Sequence, residues 1–81
     1  MSKHDVSNRL SKALVMADGL TQQDVAAIGV LITAGEWELA LETLCTQLFE
    51  YDVEVSVAYR AKLEALGTEL GVNAPHLLGD P

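Results

Sequence analysis

The sequence predicts a single all-α domain, a compact four-helix bundle with short connections and an irregular C-terminal tail. Apolar residues make up 49% of the 81 residues, a composition typical of a globular domain with one small core. Apolar side chains recur at helical spacing in four successive segments. The joints between the segments are short, which favours antiparallel neighbours. We therefore assign the bundle to residues 1–71 and the tail to residues 72–81.

The first predicted helix covers roughly residues 3–17. Gly19 follows it and is suited to end it in a left-handed conformation. Thr21 then has the character of an N-cap, because its hydroxyl can accept the amide of Asp24, whose carboxylate favours the positive end of a helix. The apolar face of the first helix comprises Val6, Leu10, Ala13, Leu14 and Ala17.

The second predicted helix continues to about Thr33 and is apolar almost all the way round. Helices of this kind are either buried centrally or covered by another chain. Gly29 in its middle costs about 1 kcal/mol of helix propensity, which suggests a close helix crossing. Its apolar residues are Val25, Ala26, Ala27, Ile28, Val30, Leu31 and Ile32.

The third predicted helix starts at Glu36, after Ala34-Gly35 closes the second. A rotation of about 100° per residue separates two faces. One face groups Glu38, Glu42 and Phe49, with Cys45 at its edge; with no base close in sequence, Cys45 is expected to be a small buried or half-buried apolar residue. The other face is the predicted core stripe, formed by Trp37, Ala40, Leu41, Leu44, Leu48 and Tyr51.

The fourth predicted helix follows an irregular connector in which Val53 and Val55 point one way and Glu54 the other. Ser56 is expected to cap this helix, and Gly71 to stop it. Its core stripe is Tyr59, Leu63, Leu66 and Leu70. The tail contains Pro75, Gly79 and Pro81, and we expect it to be held at Leu77 and Leu78.

The charges are strongly segregated along the chain, whose net charge is −7. No Lys, Arg or His occurs between Ala13 and Tyr59, so the carboxylates there have no neutralising neighbour in sequence. Such a block repels nucleic acid and attracts a basic protein surface. The block comprises Asp18, Asp24, Glu36, Glu38, Glu42, Glu50, Asp52 and Glu54; the basic residues outside it are Lys3, Arg9, Lys12, Arg60 and Lys62.

The residues do not favour catalysis or a cofactor. His4 lies near the N-terminus and His76 in the tail, so neither belongs to an element that would position it for acid–base chemistry. A small acidic helical protein invites comparison with acyl carrier proteins. Ser56 lies between Val55 and Val57, however, and lacks the Asp-Ser-Leu motif that carries their prosthetic group.

A metal site is not predicted either. The alternation of Glu50, Asp52 and Glu54 is similar to the first half of a calcium loop. Such a loop needs glycine at its sixth position and a bidentate acid at its end, and the chain has Val55 and Ala61 there. The chain has no signal-peptide pattern, and its longest nearly uncharged run, residues 25–35, is too short to span a bilayer. We expect a cytoplasmic protein that contacts no membrane.

A protein-binding surface is the functional prediction that the residues support. Phe49 is an aromatic outside the core stripe, and carboxylates surround it in sequence. An apolar anchor inside a charged rim is typical of the energetic centre of an interface. The structural alternative is that Phe49 packs against the tail and the acids are solvated. The predicted contact residues are Glu38, Glu42, Phe49, Glu50, Asp52 and Glu54.

The middle third of the chain carries a Gly-Glu-aromatic-x-Leu-Ala-x-Glu motif. It reads Ala34-Gly35-Glu36-Trp37-Glu38-Leu39-Ala40-Leu41-Glu42, followed by Leu44, Gln47-Leu48 and Glu50-Tyr51-Asp52. This motif resembles the small acidic MafI-like immunity proteins encoded beside bacterial polymorphic toxins. Helix-hairpin repeats use the same spacing for packing alone. The colicin-nuclease immunity proteins are similar in size and acidity, but their Tyr-Tyr-Pro segment is absent.

The resemblance implies a cytoplasmic protein that binds and silences a cognate toxin, commonly a nuclease. We therefore predict an immunity protein with a basic toxin domain as partner. The alternative is a helical oligomerisation or adaptor module that forms a homodimer or larger species through the apolar second helix.

Overall fold

Five helices form the part of the chain that the computed structural model describes, residues 3–79, with side chains from residue 5 onward. They are α1 (Lys3–Met16), α2 (Gln22–Thr33), α3 (Trp37–Glu50), α4 (Val57–Leu70) and α5 (Ala74–Leu78). Within residues 3–79 there is no strand, so the all-α helical bundle is confirmed. The side chains of Lys3 and His4 and the last two residues of the predicted tail lie outside the described part.

The helix boundaries follow the local signals in the sequence. Thr21 caps α2: its Oγ1 accepts the Asp24 amide at 3.1 Å, and the Asp24 carboxylate accepts the Thr21 amide in return. Ser56 Oγ accepts the Tyr59 amide at 3.0 Å at the start of α4. Gly71 ends α4 in the left-handed conformation, with φ at 76°. Glu36 is the N-cap residue of α3, but its side chain makes no capping hydrogen bond.

The core is arranged around α3, which contacts all four other helices. The predicted apolar faces of α1, α3 and α4 supply most of the buried side chains. Tyr51 is the exception, because it was predicted in the core stripe and is exposed. Its phenol hydroxyl donates to Asp24 Oδ2 at 2.6 Å, so it serves a surface hydrogen bond.

Helix α2 is peripheral, which corrects the expectation that it could be buried centrally. Only Ile28 and Ile32 are buried, while Val30 is 66% exposed. The reason is that α2 packs against α1 and α3 alone, and two neighbours cover one side of a helix. No other described element covers its outer face, so the expectation of a covering chain stays a prediction.

The segment predicted as an irregular tail contains the short helix α5, which packs against α3 and α4. The Asn73 side chain caps it by accepting the His76 amide at 3.3 Å. Val72, Ala74 and Leu78 join the core, and Leu77 is partly buried. Because these apolar residues have a place in the core, the tail is ordered where composition alone suggested irregular backbone.

Candidate protein-binding surface

The six residues predicted for partner contact are all exposed. Four of them lie on α3, namely Glu38, Glu42, Phe49 and Glu50. The other two, Asp52 and Glu54, lie in the connector of residues 51–56, between α3 and α4. Whether the four residues on α3 and the two in the connector form one surface therefore depends on the backbone at the end of α3 and the start of the connector.

Asp24 fixes the C-terminal end of α3. Its Oδ1 accepts from Gln47 Nε2 at 3.0 Å, and its Oδ2 accepts from the hydroxyls of Tyr51 at 2.6 Å and Thr21 at 2.8 Å. The Tyr51 hydrogen bond is the main cause that lowers the pKa of Asp24, with Thr21 and Gln47 contributing. The same bond raises the pKa of Tyr51. One carboxylate thus ties the start of α2 to the end of α3.

The connector turns sharply after α3. The Asp52 amide donates to the Phe49 carbonyl at 3.0 Å, and the Val53 amide donates to the Leu48 carbonyl at 2.9 Å. Asp52 has a φ of 53°, a left-handed conformation that aspartate tolerates better than most residues. Val53 and Val55 pack against the core and Glu54 is exposed, as the alternation predicted.

This turn opens a cavity of about 400 Å³ between the end of α3, the connector and the start of α4. Phe49, Asp52, Glu54 and Val57 lie around it, and we call these four residues the acidic mouth. Phe49 is 56% exposed and Val57 is 89% exposed. Val57 was not among the predicted contact residues. Its position next to the Ser56 cap and off the core stripe of α4 is the signal that could have identified it.

The ring of Phe49 lies against Gly79 beyond α5. A Cβ atom placed on Gly79 would lie 2.8 Å from Phe49 Cε1, so a side chain at this position would have to displace the ring. The contact agrees with the expectation that Phe49 could pack against the tail. The tail covers only part of the ring, because more than half of the side chain is exposed. Phe49 is therefore both supported from behind and open to a partner.

Arg60 holds the tail in place beneath the acidic mouth. Its guanidinium donates to the Gly79 carbonyl at 2.6 Å, and its Nε donates to Glu64 Oε2 at 2.9 Å. Although Arg60 lines the cavity, its hydrogen bonds go to the tail and to Glu64 rather than to Asp52 or Glu54. Residue spacing did not indicate this role, because Arg60 and Gly79 are 19 residues apart.

Glu38 and Glu42 lie apart from the acidic mouth. They are 11 and 7 residues before Phe49, or roughly 16 and 10 Å along the helix axis at about 1.5 Å per residue. Cys45 lies between them and Phe49 on the same face and is fully buried, as predicted for this residue. Burial raises the pKa of its thiol to about 12. The predicted surface thus has two parts, the acidic mouth and the N-terminal half of α3, while Glu50 lies at the end of α3 outside the lining of the cavity.

The predicted contact carboxylates are not neutralised by neighbours in the described part of the chain. The ion pairs there join Arg9 to Asp5 and Glu69, and Arg60 to Glu64. None of them involves Glu38, Glu42, Glu50, Asp52 or Glu54. These five carboxylates therefore have no ion-pair partner among the described side chains, although Arg60 lines the same cavity as Asp52 and Glu54.

Side chains 5–79 contain no group of three or more His, Cys, Asp and Glu residues that could hold a metal ion. None of the helices described is long and apolar enough to cross a bilayer. No family model, characterised protein or solved structure matches this chain.

Proposed function

We propose that this chain is an immunity protein that binds and neutralises a basic toxin domain, most simply a nuclease, in the cytoplasm. The observation that carries the proposal is a set of five exposed carboxylates without ion pairs among side chains 5–79, arranged on α3 and beside the exposed ring of Phe49. The motif that resembles MafI-like proteins lies in the same stretch of chain and supports the same assignment.

The charge of the surface fits a partner that itself recognises phosphate. A nuclease must attract a polyanion and therefore presents a basic cleft. An acidic protein can occupy or flank such a cleft, and long-range attraction raises the association rate toward about 10⁸ M⁻¹ s⁻¹ at low salt. The inhibitor then acts by stoichiometric occupation and needs no catalytic group of its own.

The acidic mouth supplies the second requirement of a tight interface, an apolar centre. Phe49 and Val57 offer exposed apolar surface around one cavity, and Asp52 and Glu54 stand beside them. Desolvated aromatic side chains with a charged rim carry most of the energy in many interfaces. We therefore expect Phe49 to control dissociation, and the more distant Glu38 and Glu42 to act mainly on association.

The test is a pull-down of the tagged protein from its native cell lysate at low salt, with the bound proteins identified by mass spectrometry. We expect one basic protein, released progressively as the salt concentration rises. Inhibition of that protein's toxic activity at a 1:1 ratio would then establish the assignment. Recovery of the bait alone, or of an acidic partner, would contradict it.

Substitutions in the acidic mouth test which residues make the contact. Phe49→Ala and Glu54→Gln should each weaken binding of the captured partner by about 2–5 kcal/mol if the side chain is buried in the complex, and by less than about 1 kcal/mol if it stays at the rim. Val30→Ala and Glu36→Gln are matched controls, exposed residues outside the proposed surface. If both pairs behave alike, the site assignment is wrong.

One observation favours a second candidate function, self-association through α2. Val30 is exposed beside a surface cavity of about 510 Å³, which Ala26, Gly29, Thr33 and Ala34 also line. A second helix could pack closely there. Such an oligomerisation module would form dimers with little salt dependence, and Val30→Glu would separate them in sedimentation velocity. An unchanged sedimentation profile would remove this candidate.

A further inference from the structure

A groove between α1 and α4 collects most of the positive charge of this acidic protein. It has a volume of about 340 Å³, and Arg9, Lys12 and Lys62 line it. These are three of the five basic residues in the chain. Ala13 and Leu66, both buried, and Met16, exposed, supply apolar lining. We call this feature the basic groove.

The lysines of the basic groove are available for an external partner. Arg9 is already held by Asp5 and Glu69. Lys12 and Lys62 are exposed and take part in no ion pair within side chains 5–79. The groove therefore presents two uncompensated positive charges beside apolar surface. At the acidic mouth, by contrast, Asp52 and Glu54 lie beside apolar surface without an ion pair among the described side chains. Arg60, which lines the same cavity, is paired with Glu64.

We propose that the basic groove binds the acidic mouth of a second copy of this chain. In that contact Lys12 and Lys62 of one protomer face Asp52 and Glu54 of the other. The exposed ring of Phe49 packs against the apolar lining of the groove. The proposal rests on the acidic mouth that the proposed function also uses, and it is independent of the identity of any toxin.

Within one molecule the mouth and the groove face different directions, although Glu54 and Met16 both line a third cavity between them. Val57 and Arg60 line the mouth, whereas Lys62 lines the groove. At about 100° per residue, Lys62 points roughly 140° away from Val57 around the axis of α4. The mouth and the groove therefore open on different flanks of the same helix, which favours a complement on another protomer.

The net charge of −7 opposes association, but only over long range. At about 0.15 M salt the Debye length is about 8 Å, so charges farther apart than this are largely screened while adjacent groups still interact. We therefore expect association to be weak at very low salt and strongest near physiological ionic strength. A toxin bound at the acidic mouth would compete with the second copy.

The test uses sedimentation velocity of the full chain over a concentration series near 0.15 M salt. We expect wild-type protein to self-associate reversibly. The groove variant Lys12→Glu/Lys62→Glu and the mouth variant Asp52→Asn/Glu54→Lys should each weaken self-association by at least about tenfold. Glu38→Gln/Glu42→Lys has the same charge change as the mouth variant but lies away from the cavity, and it should associate at least as well as wild type.

Mixing the two defective variants gives the decisive result. The groove variant keeps an intact mouth and the mouth variant keeps an intact groove, so a 1:1 mixture should restore association. Restoration also shows that both variants are folded. The inference is overturned if wild type stays monomeric, if either variant associates like wild type, or if the mixture stays monomeric. Toxin capture is unaffected by any of these outcomes, and self-association through α2 would persist in both variants.

Discussion

Asp24 is the residue on which the order of the binding surface depends most directly. It completes the capping box of α2 by accepting the Thr21 amide, and it also accepts hydrogen bonds from Gln47 and Tyr51 on the far side of the hairpin. The sequence indicated its place in the first turn of α2 beside the Thr21 N-cap, because that relation spans only three residues. The bonds to Gln47 and Tyr51 span 23 and 27 residues and depend on how α2 crosses α3, which residue spacing does not encode.

The lowered pKa of Asp24 gives a prediction about acid stability. A carboxyl group whose folded pKa lies below its ordinary value of 3.8 stabilises the fold fully above that value. This contribution is lost as the pH falls through the folded pKa. We therefore expect Asp24→Asn to lower the melting temperature near neutral pH and to differ less from wild type as the pH falls below 3.8.

Circular dichroism melts from neutral pH to about pH 2 provide the measurement. Tyr51→Phe removes the strongest partner of Asp24 and keeps the carboxyl group. This variant should therefore lose part of the pH-dependent stabilisation that the Asp24 carboxylate provides. Glu36→Gln, which alters an exposed carboxylate without a capping bond, is the control. A constant difference between Asp24→Asn and wild type across this pH range would contradict the role assigned to Asp24.

At the scale of the element, the sequence predicted the four long helices because their caps and apolar faces are local patterns. Thr21, Ser56 and Gly71 each act within one helical turn, where sequence spacing determines geometry. The position of α5 could not be predicted in this way. It depends on Arg60 reaching the Gly79 carbonyl and on the apolar residues of the tail finding a place in the core.

Two glycines give predictions of opposite sign at this scale. Gly79 has a φ of 78° and a ψ of 176°, a combination essentially restricted to glycine, and the ring of Phe49 closes the space a side chain would need. Gly79→Ala should therefore lower the local stability by about 1–3 kcal/mol.

Gly29 lies inside α2, and the atom nearest to a Cβ added there is Leu14 Cδ2 at 4.0 Å. Gly29→Ala should stabilise the fold by about 0.5–1 kcal/mol.

Hydrogen exchange and urea unfolding distinguish these effects. Gly79→Ala should speed amide exchange in α5 and displace Phe49, which weakens toxin binding without any change in charge. Gly29→Ala should shift the unfolding midpoint upward and leave the acidic mouth unchanged. If Gly79→Ala speeds amide exchange only in α2 and leaves α5 unchanged, the tail does not support Phe49.

The whole molecule keeps its charges apart, with an acidic side built from α3 and the connector and a basic groove between α1 and α4. The sequence predicted the acidic block, because a stretch that contains carboxylates and no basic residue has no neighbour in sequence to neutralise it. It did not predict the groove, because Lys12 and Lys62 are 50 residues apart in sequence. It also did not predict the division of the acidic surface, which follows from the burial of Cys45 on the face that Glu42 and Phe49 share.

Like charges on one face of α3 lower the stability of the fold. Removing one of them should therefore change stability and partner binding in opposite directions. Glu38 and Glu42 are four residues apart on α3, a spacing at which like charges destabilise a helix by about 0.2–0.5 kcal/mol. Glu42→Gln should remove this repulsion, and Glu42→Lys should replace it with an attraction of similar size. The free energy of unfolding should therefore rise from wild type through Glu42→Gln to Glu42→Lys.

The association rate with a basic toxin should fall along the same series, because each step makes the surface that attracts the partner less negative by one charge unit. Stopped-flow association at low and high salt measures this fall, and the three proteins should converge as salt screens the field. If stability rises while the association rate falls, α3 is identified as a partner-binding surface. If stability rises while the rate stays constant, Glu42 belongs to the solvated surface, and the acidic mouth alone remains as the binding site.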